Sequence, residues 1–163
     1  MITMPIQPGF EAMTTELNAQ RQSLYETDYV KWIETTVEQL KQQNYDAIDW
    51  ENLIEEIEDM GRSERRSLES NLTIILLHLL KWQFQPERRS NSWQLSIAEH
   101  RRRIRKAFKD SPSLKPYLEE VLAESYEDAI ELASIETGLP ASTFPRSSPY
   151  TSTQVLEAGF LPE

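Results

Sequence analysis

Cysteine is absent from this 163-residue sequence. That absence excludes disulfides, zinc fingers, iron–sulfur ligation and thiol catalysis together. It also leaves no disulfide argument for secretion. Glycine is scarce, with four residues, which disfavours a turn-rich β-sandwich and leaves room for long helices. Histidine is scarcer still, with His78 and His100 alone. No long hydrophobic run occurs: the longest near-continuous apolar stretch, Ile74 to Leu80, is interrupted by His78, whereas a bilayer span needs roughly 20 residues. Between Met1 and Phe10 no basic region precedes an apolar run, so no signal peptide is expected. The default expectation is a soluble cytoplasmic protein without a membrane segment.

What is present is helical periodicity. Tyr29, Trp32, Ile33, Val37 and Leu40 repeat at helical spacing over residues 28–43 and predict one buried stripe, with Thr27 or Asp28 as cap. Trp50, Leu53, Ile54, Ile57 and Met60 mark a second helix behind Asp49, and Gly61 is expected to end or bend it. A third helix, about 64–84, is apolar nearly all round in its second half and belongs at the centre of the bundle, with Pro86 stopping it. Trp93, Ile97, His100, Ile104, Ala107 and Phe108 define a fourth helix over 93–109. Leu118, Val121, Leu122, Ser125, Ala129, Leu132 and Ala133 define a fifth over about 114–137, with Pro116 in its first turn and Gly138 as its C-terminal cap. No strand pattern and no internal repeat appear. The expected fold is all-α, a bundle of four to five main helices. Residues 1–23 read as a flexible N-terminal arm on which Met13 and Leu17 could form a short helix. Residues 24–138 read as the bundle. Residues 139–163 read as a Pro/Ser/Thr-rich tail with one short helix after Thr151, where Thr-Ser-Thr-Gln matches a capping box.

The net charge of −10 favours solubility and disfavours general affinity for nucleic acid or anionic membrane. It averages over a strong segregation. Asp46 to Asp59 holds acids and no base, whereas Lys81 to Lys109 is basic apart from Glu87 and Glu99. Acidic helices packing beside the basic one, with Arg–carboxylate pairs at their seams, is the plainer account. The sharper one is nucleic-acid binding by segment 81–109, with Arg88, Arg89, Trp93, Arg102 and Arg105 meeting phosphates and bases.

The histidines admit two readings as well. Each can be a hydrogen-bonded core imidazole, or one can join Glu51, Glu55 or Glu58 in a metal-dependent enzyme site. The spacing supplies no Glu-x-x-His pair, no His-Glu-x-x-His, no Gly-rich phosphate loop and no Gly-x-Ser-x-Gly elbow. Trp32, Trp50, Trp82 and Trp93 each lie on an apolar stripe and read first as packing residues.

The runs Glu51-Asn52-Leu53-Ile54-Glu55-Glu56-Ile57-Glu58, Gly61-Arg62-Ser63-Glu64-Arg65-Arg66, His78-Leu79-Leu80-Lys81-Trp82 and Gln85-Pro86-Glu87-Arg88-Arg89-Ser90 resemble the domain-of-unknown-function family 29, typical of cyanobacteria. The resemblance continues through Ser111-Pro112-Ser113-Leu114 and Thr137-Gly138-Leu139-Pro140, so it covers the chain from about Leu24 onward. It implies an all-helical bundle and assigns no catalytic residues. It draws attention to Glu55, Arg62, Arg65, Arg66, His78, Lys81, Arg88 and Arg89, with Trp82 and Trp93 beside them, as candidate binding residues around the two ends of the third helix. No cofactor is implied. The leading functional expectation is a non-enzymatic interaction or regulatory protein with a homo-oligomeric or protein partner.

Overall fold

The computed structural model describes residues 24–163. The expected arm over residues 1–23, with its helix at Met13 and Leu17, lies outside the described residues. After a helical turn at residues 24–27 come α1 (Tyr29–Lys41), α2 (Trp50–Phe84), α3 (Asn91–Asp110), α4 (Leu114–Thr137) and the short α5 (Ser152–Leu156). Among the described residues there is no strand, and the fold is all-α. Two compact units divide the chain, one up to Met60 and one from Gly61 to Glu163.

The helix ends follow local chemistry. The Asp28 carboxylate accepts the Lys31 N–H at 3.0 Å, and Asp49 accepts that of Asn52 at 3.4 Å. Ser90 caps α3 through the Trp93 N–H. Gly138 closes α4 in the left-handed region at φ 73° and donates to the Ser134 carbonyl. Thr151 and Gln154 form the expected capping box on α5.

The second and third expected helices are one. α2 runs without a break through Gly61. A glycine inside a helix costs about 1 kcal/mol relative to alanine and does not by itself end it, and the good helix formers on both sides outweigh it. A Cβ at Gly61 would meet no atom within 4 Å. Gly61→Ala is therefore expected to raise stability by about 0.5–1 kcal/mol, read as a higher urea midpoint with an unchanged slope.

In the unit up to Met60, side chains tie the start of α1 to the early part of α2. The Tyr25 and Tyr29 hydroxyls both donate to the Glu56 carboxylate, at 2.5 and 2.6 Å. Tyr25, Tyr29 and Trp32 pack their rings together. Glu56 holds the Tyr25 phenol up to about 12 through that hydrogen bond. The expected stripes are not buried as wholes. Trp32 and Ile48 are buried, but Ile33, Val37, Leu40, Trp50, Ile54, Ile57 and Met60 are exposed. Two paired helices can cover only the sides that face each other, and both stripes are wider than that seam.

In the unit from Gly61, the second half of α2 is the centre. Leu68, Leu72, Ile75, Leu76, Leu77, Leu79 and Leu80 are buried. Ile97 and Ile104 of α3, and Leu114, Leu118, Val121, Tyr126, Ala129 and Ala133 of α4, complete the same core. Leu132 is exposed rather than inward. Beyond α4, Phe144, Tyr150 and Val155 are buried in this core too. Tyr126 donates to the Pro145 carbonyl at 2.9 Å, Tyr150 donates to Gln83 Oε1 at 2.7 Å, and Phe84 meets Phe144 edge-on.

Candidate functional site

Helical spacing puts His78, Lys81 and Trp82 on adjoining faces of the last turns of α2. Pro86 and a short 3-10 turn (Pro86–Arg88) then reverse the chain, and Ser90 starts α3 so that Trp93 comes back against Lys81. The Lys81 ammonium lies 4.5 Å from the Trp93 ring centroid and 2.5 Å from Glu136 Oε2, contributed by the last turns of α4. The Lys81 side chain is 10% exposed, that of Glu136 46%. The cation is thus stripped of water and held by one carboxylate and one aromatic face. Arg89 lies on the other tryptophan, its guanidinium 5.1 Å from the Trp82 ring centroid and its Nε donating to the Trp82 carbonyl at 2.9 Å. That bond satisfies one of the unpaired carbonyls at the end of α2.

His78 is half-buried near Lys81, and its buried Nδ1 has no hydrogen-bond partner among the described residues. Burial, then the Lys81 charge, lowers its pKa to about 4, with Glu136 acting the other way and His100 adding slightly to the lowering. The ring is neutral at pH 7. His100 does not join it in a ligand pair: its Nδ1 bonds Asn71 Oδ1 at 2.7 Å. Because the folded pKa of His78 lies below the ordinary 6.5, its contribution to stability is complete above about pH 6.5 and is lost as pH falls toward 4. The ring is partly exposed, so the loss is discounted to about 1 kcal/mol at pH 4.5. Urea titrations at pH 7 and 4.5 should show a smaller acid-induced loss for His78→Gln than for the wild type. Equal losses would show that the imidazole is not held neutral.

The other expected residues do not converge here. Glu55 and Arg62 are exposed along α2. Arg65 lies over the Tyr117 ring at 5.2 Å, and the Tyr117 hydroxyl donates to Glu69. Arg66 borders an open depression of about 490 Å³ with Glu69, Ser70, Thr73 and Asp128. Arg88 is exposed in its turn. Arg102 and Arg103 bond Glu99 within α3 instead of an acidic neighbour helix, and those bonds hold Glu99 down to about 2.

The geometry gives the two alternatives no support. A single-strand binder needs open aromatic faces, yet Trp82 and Trp93 each already carry a cation of this chain. Among the described residues no three His, Asp or Glu side chains come together as a metal-ligand set. The Lys81 cluster joins a paired ammonium, an aromatic face and a neutral imidazole.

The sequence reading missed Glu136, Glu56 and Arg101. The first two had no distinguishing signal, each being one acid among many. Arg101 had one, since it falls in register with Ile97 and Ile104 on the buried stripe of α3. Among the described residues no helix is long and apolar enough to cross a membrane. No curated protein and no solved structure matches the sequence. The family model described as domain of unknown function DUF29 matches residues 24–161, and the chain belongs to that family.

Proposed function

We propose that the chain is a non-enzymatic interaction protein that associates with a second copy of itself through the unit up to Met60. One observation carries this reading: the apolar stripes of α1 and of early α2 stay exposed, up to 59% at Ile57 and 68% at Met60. At 100° per residue, Ile33, Val37 and Leu40 lie to one side of the Trp32 seam, and Trp50, Ile54 and Ile57 lie to one side of the Glu56 seam. An antiparallel arrangement of the two helices turns these offsets into one shared side of the pair. Together they expose on the order of 700 Å² of apolar residue surface, close to the roughly 800 Å² per partner of a standard interface. Two such pairs related by a two-fold axis would close a four-helix bundle. The Lys81 cluster is, in this reading, a fastening inside the second unit.

The same surface is strongly acidic, since Lys31 and Lys41 are the only bases among residues 24–60. Like charge opposes the association and salt screens it. Light scattering behind size exclusion should therefore give a two-chain mass whose dissociation constant falls as sodium chloride rises from 50 to 500 mM. Ile57→Glu buries a carboxylate in that contact and should weaken it by at least about 100-fold, while leaving the helical dichroism of the chain unchanged. A one-chain mass at every salt and concentration overturns the proposal.

A further inference from the structure

A second feature lies within the unit from Gly61 and is independent of the self-association surface. Gln94, Ile97, Ala98, Arg101 and Arg105 recur on one face of α3. They form one wall of a cavity of about 270 Å³, whose other wall is Ala158, Gly159 and Leu161. Arg101 is 3% exposed. It donates from Nε to the Val155 carbonyl at 2.7 Å, and from Nη2 to the Gln154 and Phe160 carbonyls at 3.3 and 3.0 Å. All three acceptors are neutral. Its Nη1 has no hydrogen-bond partner among the described residues, and neither Arg101 nor Arg105 forms an ion pair with any of them. Glu157 is near enough to act on Arg101 electrostatically without bonding it.

A buried cation is normally paired. Here a buried guanidinium and a second one a turn further along both border the same hollow, and among the described residues no carboxylate lies within ion-pair distance of either. Burial, then the Arg105 charge, lowers Arg101 to about 10, with Glu157 acting the other way. The rest of the lining is apolar at Ile97, Ala98 and Leu161. We propose that this cavity binds a small organic carboxylate, its anionic head on Arg101 Nη1 and Arg105 and its short apolar body against Ile97 and Leu161.

Three probes separate the two halves of that chemistry on the full chain: hexanoate, acetate with the charge alone, and hexan-1-ol with the body alone. Calorimetric titration should show hexanoate at least 10-fold tighter than either comparator, with a matching rise in thermal midpoint. Arg105→Gln should weaken hexanoate about 10-fold. Ala98→Leu should abolish its binding, because the added side chain fills the hollow from a position that helix propensity favours. Arg101 itself is left intact in the test because it also fastens the chain. Hexanoate no tighter than acetate or hexan-1-ol overturns the proposal, and so does undiminished binding to the Ala98→Leu protein.

Discussion

Arg101→Met is expected to cost about 3–5 kcal/mol and to release the segment that carries α5. The residue is buried and makes three bonds from its guanidinium to carbonyls between Gln154 and Phe160. Hydrogen bonds to a charged group contribute about 1.5–3 kcal/mol each, and leaving buried acceptors unpaired adds to the loss. Methionine fills most of the volume but offers no donor. Lysine is no substitute, because an ammonium on a flexible stem cannot present the planar fork that serves three carbonyls at once, so Arg101→Lys should recover less than half of the loss. Arg103→Met supplies the control: that side chain is 55% exposed and paired with Glu99 in the same helix, so its loss should stay within about 0.5 kcal/mol. Urea denaturation reads the stabilities. Hydrogen exchange should show the amides of Val155 and Glu157, bonded to the Thr151 and Thr153 carbonyls, opening in Arg101→Met and staying protected in Arg103→Met.

The all-α fold was legible because apolar residues recur every three to four positions, and caps such as Asp49, Gly138 and Thr151 work through atoms one turn away. The join across Gly61 was not legible, because a glycine can end a helix or sit inside one, and the choice depends on what packs against the next turns. The exposed faces of α1 and early α2 were illegible for a related reason. Periodicity says that Ile33, Val37, Ile54 and Ile57 share a side with other apolar residues; it does not say how much of that side another helix covers.

The candidate site divides along the same line. Lys81 and Trp93 lie 12 positions apart across a proline turn, close enough in sequence for helix geometry to bring them together. Glu136 lies 55 positions beyond Lys81, and nothing in its neighbourhood separates it from Glu131. Only the packing of α4 against the end of α2 selects it. Arg101 opens the basic run Arg101-Arg102-Arg103, and a run of like charge ordinarily faces solvent. Its register with Ile97 and Ile104 was the sign that this one arginine turns inward, with its charge answered by backbone rather than by carboxylate.

The Lys81–Glu136 pair should respond unequally to loss of its two members. Glu136→Gln is expected to cost about 2–3 kcal/mol. It leaves an ammonium, 10% exposed, with only the Trp93 face against its charge. A cation–π contact of about 1–2 kcal/mol does not offset the desolvation of an unpaired ion. Lys81→Met should stay within about 1 kcal/mol of wild type. Methionine follows the same path over Trp93, sulfur contacts an aromatic ring favourably, and the Glu136 side chain, nearly half exposed, can turn its carboxylate to water. The double variant should then resemble Lys81→Met rather than the sum of the two losses, because the cost of Glu136→Gln arises from a charge that is no longer there. A four-protein urea cycle measures this directly. If Lys81→Met proves as costly as Glu136→Gln, the ammonium itself contributes net stability, and the pair is worth more than the desolvation argument allows.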